Sequence, residues 1–241
     1  MMRSALMVAC IVLVAGVSTW SHAAPPTFSH PLDITNPLHP FPPGAVKVFA
    51  GSKDKAKTVI VDIYKSETRT FQLAGADVPC HVLQETEFQG GQLSEISQNF
   101  FAQADDGAVY YFGEVVDEYE NGVVTAHEGS WLVGGPTTPG DPAETANASM
   151  PGLFMPPNPA VGDTYKPEDL LPVVDETDTV KAVGKAVGVP AGRFANAIQV
   201  LETSQLPGAP ETKWYAPGIG VLKGKTQGER FALIASTFGT P

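Results

Sequence analysis

Between Tyr110 and Trp131 the chain reads YYFGEVVDEYENGVVTAHEGSW, with five acidic side chains (Glu114, Asp117, Glu118, Glu120, Glu128) and one histidine, His127, set among aromatics and valines. A histidine flanked by carboxylates beside aromatic walls can act as a general base with its orienting group, or supply a mixed nitrogen and oxygen site for a metal ion. The Asn121-Gly122 pair predicts a two-residue hairpin turn, because a type I′ turn needs positive φ at both central positions. Glu120 then pairs with Val123, Val116 faces His127 and Phe112 faces Trp131. Alternation puts Phe112, Glu114, Val116, Glu118, Thr125, His127 and Trp131 on one face, and Tyr111, Val115, Asp117, Tyr119, Val124, Glu128 and Leu132 on the other. Glu114, Glu118 and His127 are therefore the expected catalytic or metal-binding constellation. The competing interpretation is a solvated hairpin tip bordering the core.

Other residues offer less. A two-residue turn at Gly90-Gly91 pairs Cys80 with Phe101 and His81 with Phe100, so Cys80 and His81 point to opposite faces and do not ligate one ion together. Cys80 is expected to be a buried, inert thiol. Asp105-Asp106-Gly107 lacks the spacing of a calcium loop and reads as a turn. His30 and His39 lie in a proline-rich stretch where a surface role is expected. No nucleophile elbow, zincin helix, phosphate loop or dinucleotide fingerprint occurs.

These side chains must be carried by some framework, and its start is informative. Residues 1–23, MMRSALMVACIVLVAGVSTWSHA, combine a basic end at Arg3, an apolar run and a small-residue end, the layout of a signal peptide cleaved after Ala23. The apolar run is too short to span a membrane. The chain is thus expected to be exported, periplasmic or extracellular, and soluble. Cleavage removes Cys10, one of two cysteines, and excludes an intrachain disulfide. A formal net charge of −11 disfavours nucleic acid and anionic membranes, both of which need a basic patch.

After a proline-rich extended arm over residues 24–44, short segments rich in Val, Ile, Thr, Phe and Tyr alternate with Gly, Asp, Asn and Lys turns. No helical period persists for three turns. The prediction is a single all-β domain over 45–241: a curled antiparallel meander, a half-barrel or open barrel-like sheet, interrupted by a long Pro-rich, lid-like loop at 134–167.

Two C-terminal pieces stand out together: Val189-Pro190-Ala191-Gly192-Arg193-Phe194, and Lys213-Trp214-Tyr215-Ala216-Pro217-Gly218-Ile219-Gly220 continuing to Lys223. The pairing of P-A-G-x-F with W/Y-Y-A-P-G-x-G resembles a broad, poorly characterised group of exported bacterial proteins. The resemblance covers most of Asn36 to Lys223 and implies a curled antiparallel sheet or half-barrel; it implies no site residues. The favoured function is binding of an apolar or amphipathic small molecule, with Tyr111, Phe112, Trp131, Phe154 and Trp214 as ligand-contacting aromatics. The alternatives are an enzyme using His127 with Glu114 or Glu118, with or without a divalent metal, and an envelope scaffold. The sequence names no cofactor, ligand or oligomeric state.

Overall fold

The computed structural model describes residues 25–238, which contain strands and no helix. The segment read as a signal peptide lies outside the described residues. No helix among the described residues is long and apolar enough to cross a membrane.

Fifteen strands form one sheet: β1 (Val46–Lys53), β2 (Ala56–Leu73), β3 (Ala76–Gln89), β4 (Gln92–Gln103), β5 (Val109–Glu120), β6 (Val123–Ala126), β7 (Trp131–Val133), β8 (Ala146–Ala148), β9 (Gly152–Met155), β10 (Thr164–Leu170), β11 (Val174–Val189), β12 (Gly192–Thr203), β13 (Glu211–Ala216), β14 (Gly220–Lys225) and β15 (Glu229–Ser236). Consecutive hairpins give the run β10 to β15, β15 pairs with β1, and the run continues through β5 to β7 and β8. All pairs are antiparallel except β7 with β8. The sheet curls nearly into a barrel, closing by contact instead of by a ladder. β9 pairs with β5 and packs against β10, which ends the hydrogen-bonded path.

Gly152 makes that seam possible. A Cβ at this position would lie 1.7 Å from the Pro167 carbonyl oxygen, so only a residue without a side chain lets the two backbones meet. Above the seam the Trp131 indole N–H donates to Glu168 Oε1 at 3.0 Å, tying β7 to β10.

The long strands bury different faces along their length. In β2, Thr58, Ile60, Asp62 and Tyr64 are buried on one face, whereas Phe71 and Leu73 are buried on the other. The pairing with β3 is irregular between Tyr64 and Thr68, which is how one strand serves two cores. Phe71 packs on Phe100 and Phe112 outside the barrel. The stretch 134–148 lies over this outer cluster, held by Arg69 donating to both oxygens of Asp141 at 2.8 and 2.7 Å. The segment read as a lid-like loop carries β8, β9 and the start of β10.

The proline-rich arm runs into one end of the barrel. Its geometry is fixed by polar side chains: Gln103 Oε1 accepts the Thr35 and Asn36 N–H groups at 2.9 and 2.8 Å, and Asn36 Nδ2 donates to Pro156 O at 3.0 Å. Phe41 stacks on His81 at 4.3 Å, and the His81 ring meets Leu32 O through Nε2 at 2.8 Å. His39, far from lying on the surface, is 8% exposed and packs against Phe101 and Phe154.

The seam gives a stability test. Gly152→Val should lower the unfolding free energy by roughly 2 kcal/mol or more through forced separation of β9 and β10. Gly188→Ala, where a Cβ meets nothing within 4 Å, should change it by less than about 0.5 kcal/mol. Chemical denaturation of the two variants distinguishes a close-packed seam from a loose one.

Candidate functional site

The inner face of the barrel is the chemically unusual part of the molecule. Alternation should send apolar side chains inward, yet the lumen collects carboxylates. Residues paired across antiparallel strands share a face, and the pairs read Lys47 with Asp62, Asp62 with Glu85, and Glu87 with Glu95. Glu95 in turn pairs with Glu118. On the far wall Tyr165 pairs with Asp178 and Glu168 with Glu176; Asp178 pairs with Glu202, and Glu202 with Glu211.

Most of these residues, though not Glu118, Tyr165, Asp178 or Glu202, line a cavity of about 390 Å³ whose lining includes nine carboxyl groups and three lysines, Lys47, Lys53 and Lys213. Ionised throughout, the lining would carry an excess of six negative charges. Its deep end is aromatic and arm-plugged, formed by His39, Pro40, Tyr64, Phe101, Tyr111 and Phe154. Lys53, 42% exposed, and Glu229, 22% exposed, sit 3.9 Å apart and mark the end nearer solvent.

Burial sets the protonation of this lining. Two ionised carboxylates about 5 Å apart repel by about 3 kcal/mol at an effective dielectric of about 20, more than an exposed ion pair returns. Removal from water, with neighbouring acids adding to it, raises the carboxyls of Glu85, Glu95 and Glu114. Asp62 rises to about 6 by burial, although Lys47 opposes the shift. Glu176 rises to about 7 by burial, with Lys213 opposing. Burial also lifts Glu202 and Asp178.

The bases respond to the same field. Burial works against the Lys213 ammonium, but Glu202 at 2.8 Å and Glu211 at 3.8 Å hold its pKa well above the ordinary lysine value. Lys47, buried beneath the rings of Tyr64 and Phe238, falls to about 8 through desolvation. His39 falls to about 3, chiefly by burial and then by Lys47, so its ring is neutral.

The constellation expected from the hairpin is not assembled. The Asn121-Gly122 turn forms and Glu120 pairs with Val123, but a bulge at Thr125, opposite the step from Glu118 to Tyr119, shifts the pairing so that Glu118 faces Ala126. A second irregularity lies at Gly113, with φ of +114° and no room for a Cβ beside Trp131 O. Trp131 faces Glu114 and not Phe112, because the break between β6 and β7 takes up a further residue. Each inserted residue exchanges the faces beyond it. Glu114 lines the lumen, and Glu118 follows it on that face beside Glu95. His127 instead meets Val116 O at 2.8 Å and Asp117 Oδ1 at 2.9 Å, and Asp117 lies on the opposite face of β5 from Glu114 and Glu118. The acid/base and metal roles expected of His127 with these two glutamates therefore lose their geometry.

The aromatic expectations divide similarly. Tyr111 and Phe154 line the lumen; the Tyr111 hydroxyl donates to Asn99. Phe112 packs outside the barrel on Phe28 and Phe71. Trp131 borders a separate hollow of about 380 Å³ along the seam. Trp214 lies outside the lumen lining, its ring beneath Lys223 Nζ at 4.6 Å. A bulge after Glu87 moves the next ladder too, pairing His81 with Phe101. Cys80 is buried and unpaired, with burial raising its thiol pKa.

No family model and no curated protein matches the chain. Among solved structures it is similar to the crystal structure of a "putative lipoprotein from Parabacteroides distasonis ATCC 8503", with 11% identity, 83% of this chain and 98% of that chain covered, and a TM-score of 0.40.

The lumen acids outside the opening hairpin escaped the sequence reading. A signal existed: Glu85 and Glu87, and Glu176 and Asp178, are spaced two apart within strand-like segments, which places each pair on one face. For ligation of an ion, the oxygens of Glu176, Asp178 and Glu202 lie within 4.8 Å of one another.

The raised carboxyl pKa values make stability pH-dependent. A carboxyl held above its unfolded pKa binds more protons in the native state, so its contribution is present at low pH and lost as pH rises through the folded value. Through the His39 range this loss is opposed, because a depressed base gains stability as pH rises toward its unfolded pKa. Above it, the melting temperature should fall as pH rises from about 6.5 to about 8, the interval in which Glu176 ionises. Differential scanning calorimetry across that interval should show a decline; a flat or rising profile would mean that the lumen carboxylates are already ionised and compensated.

Proposed function

We propose that this protein is an exported binding protein whose barrel lumen holds a small organic cation, a protonated or quaternary amine carrying some apolar surface. One observation supports the reading above all: a cavity of about 390 Å³, open to solvent at one end, with nine carboxyl groups against three lysines and aromatic rings at its deep end. A cavity of this size suits a small ligand. A cation entering it relieves repulsion among acids that the fold holds in register, and aromatic faces attract cations further. A neutral apolar ligand would leave those carboxyls desolvated and unpaired, which is costly. The amphipathic half of the expectation is therefore retained and the purely apolar half set aside. Export rests on the N-terminal sequence pattern and on the resemblance to exported bacterial proteins.

Choline and its neutral isostere 3,3-dimethyl-1-butanol provide the comparison. Titration calorimetry should show saturable choline binding that tightens as pH rises from about 5.5 to about 8, because deprotonation of the lining uncovers charge for a permanent cation. The Glu85→Gln/Glu95→Gln double variant should bind at least roughly tenfold more weakly, a loss of about 1.4 kcal/mol, with no loss of melting temperature. Equal affinity for the neutral isostere, or no effect of the double variant, would sink the reading.

A further inference from the structure

On the barrel wall made by β10, β11 and β12, beside the cavity lining, three buried side-chain oxygens come together without a hydrogen bond of good geometry. Tyr165, Asp178 and Glu202 are neighbours across the three strands. They are 6%, 2% and 6% exposed. The Tyr165 hydroxyl, Asp178 Oδ1 and Glu202 Oε1 each lack a hydrogen-bond partner. A buried oxygen without a partner costs free energy that native proteins seldom leave unrecovered, and three adjacent ones mark a place built to receive something. Lys213 occupies only the other oxygen of Glu202, Oε2, at 2.8 Å, so it does not reach the orphaned set by a salt bridge.

We propose that Glu176, Asp178 and Glu202, with the Tyr165 hydroxyl beside them, form a binding site for one hard divalent cation, calcium being the ion that fits best. The three carboxylates supply oxygens mutually within 4.8 Å, inside the roughly 5 Å that separates opposite ligands of calcium at 2.3–2.6 Å per bond. The donor set is all oxygen, which suits calcium, magnesium or manganese and disfavours zinc and copper, whose protein sites draw on nitrogen and sulfur. Magnesium demands near-ideal octahedral geometry and keeps several waters, an awkward requirement for carboxylates buried in a sheet wall. Glu176 also lines the lumen cavity, whereas Asp178 and Glu202 stand outside that lining, so variants of these two test the ion site apart from the lumen.

Protein stripped with a chelator and titrated with calcium chloride by calorimetry should bind about one equivalent, with affinity in the micromolar to millimolar range, and its melting temperature should rise with calcium. Asp178→Asn and Glu202→Gln should each weaken binding at least roughly tenfold while keeping the far-ultraviolet circular dichroism of the parent. If either variant fails to fold, the other together with Tyr165→Phe decides. The Glu85→Gln/Glu95→Gln protein should retain calcium within about threefold, so failure of the choline experiment and failure of this one remain distinguishable. Absence of calcium binding by the parent, or parental affinity in both carboxylate variants, would overturn the assignment.

Discussion

Closing a sheet on itself removes its inner face from bulk water, and in this protein that face carries more carboxylates than cations. Like charges paired directly across strands are destabilising, and here they recur: Asp62 with Glu85, Glu87 with Glu95, Glu168 with Glu176, Asp178 with Glu202. The fold tolerates them because Lys47, Lys53 and Lys213 are distributed around the same space and because burial favours the neutral acid. Lys213 is the central compensator. It is enclosed, held charged by Glu202 and Glu211, and lowers the pKa of Glu176 relative to burial alone.

The remaining architecture keeps that interior small and enclosed. The arm delivers His39 and Pro40 to the deep end and is pinned by the Asn36 and Gln103 side chains. The 18-residue β2 lends its first half to the lumen and its second half to an outer aromatic cluster. The stretch around Asp141 covers that cluster through Arg69. The seam between β9 and β10 is closed by backbone contact at Gly152 and by the Trp131 to Glu168 hydrogen bond. That hydrogen bond joins the seam to the charge problem, because Glu168 is one of the lumen acids. Its carboxyl is raised by burial even though the indole donor stabilises the ionised form.

Retaining so many buried acids costs stability that apolar residues of similar volume would not. A protein that needed only a stable barrel would fill the lumen with Val, Leu and Phe, as the outer cluster around Phe71, Phe100 and Phe112 does. The sheet thus has two cores of contrasting character: the apolar one closes the structure, and the acidic one carries buried carboxyl groups whose desolvation costs free energy.

How far the sequence reached depends on the range of the interaction concerned. The all-β class, the Asn121-Gly122 turn with Glu120 opposite Val123, and the burial of Cys80 were legible, because strand period, turn chemistry and side-chain polarity are local properties. The placement of His127 was not. A one-residue bulge at Thr125 and the break between β6 and β7 shift the register that carries His127 and Trp131, and such irregularities arise from how a curving sheet meets its neighbours, which no short window of residues encodes. The lumen was illegible for the same reason on a larger scale. Glu85, Glu95, Glu176 and Glu211 are far apart along the chain and read singly as solvated charges. By itself the sequence determined the strands, their turns and an acidic composition; only the closed tertiary structure decided which acids face one another, because convergence across a barrel depends on register summed around the whole sheet.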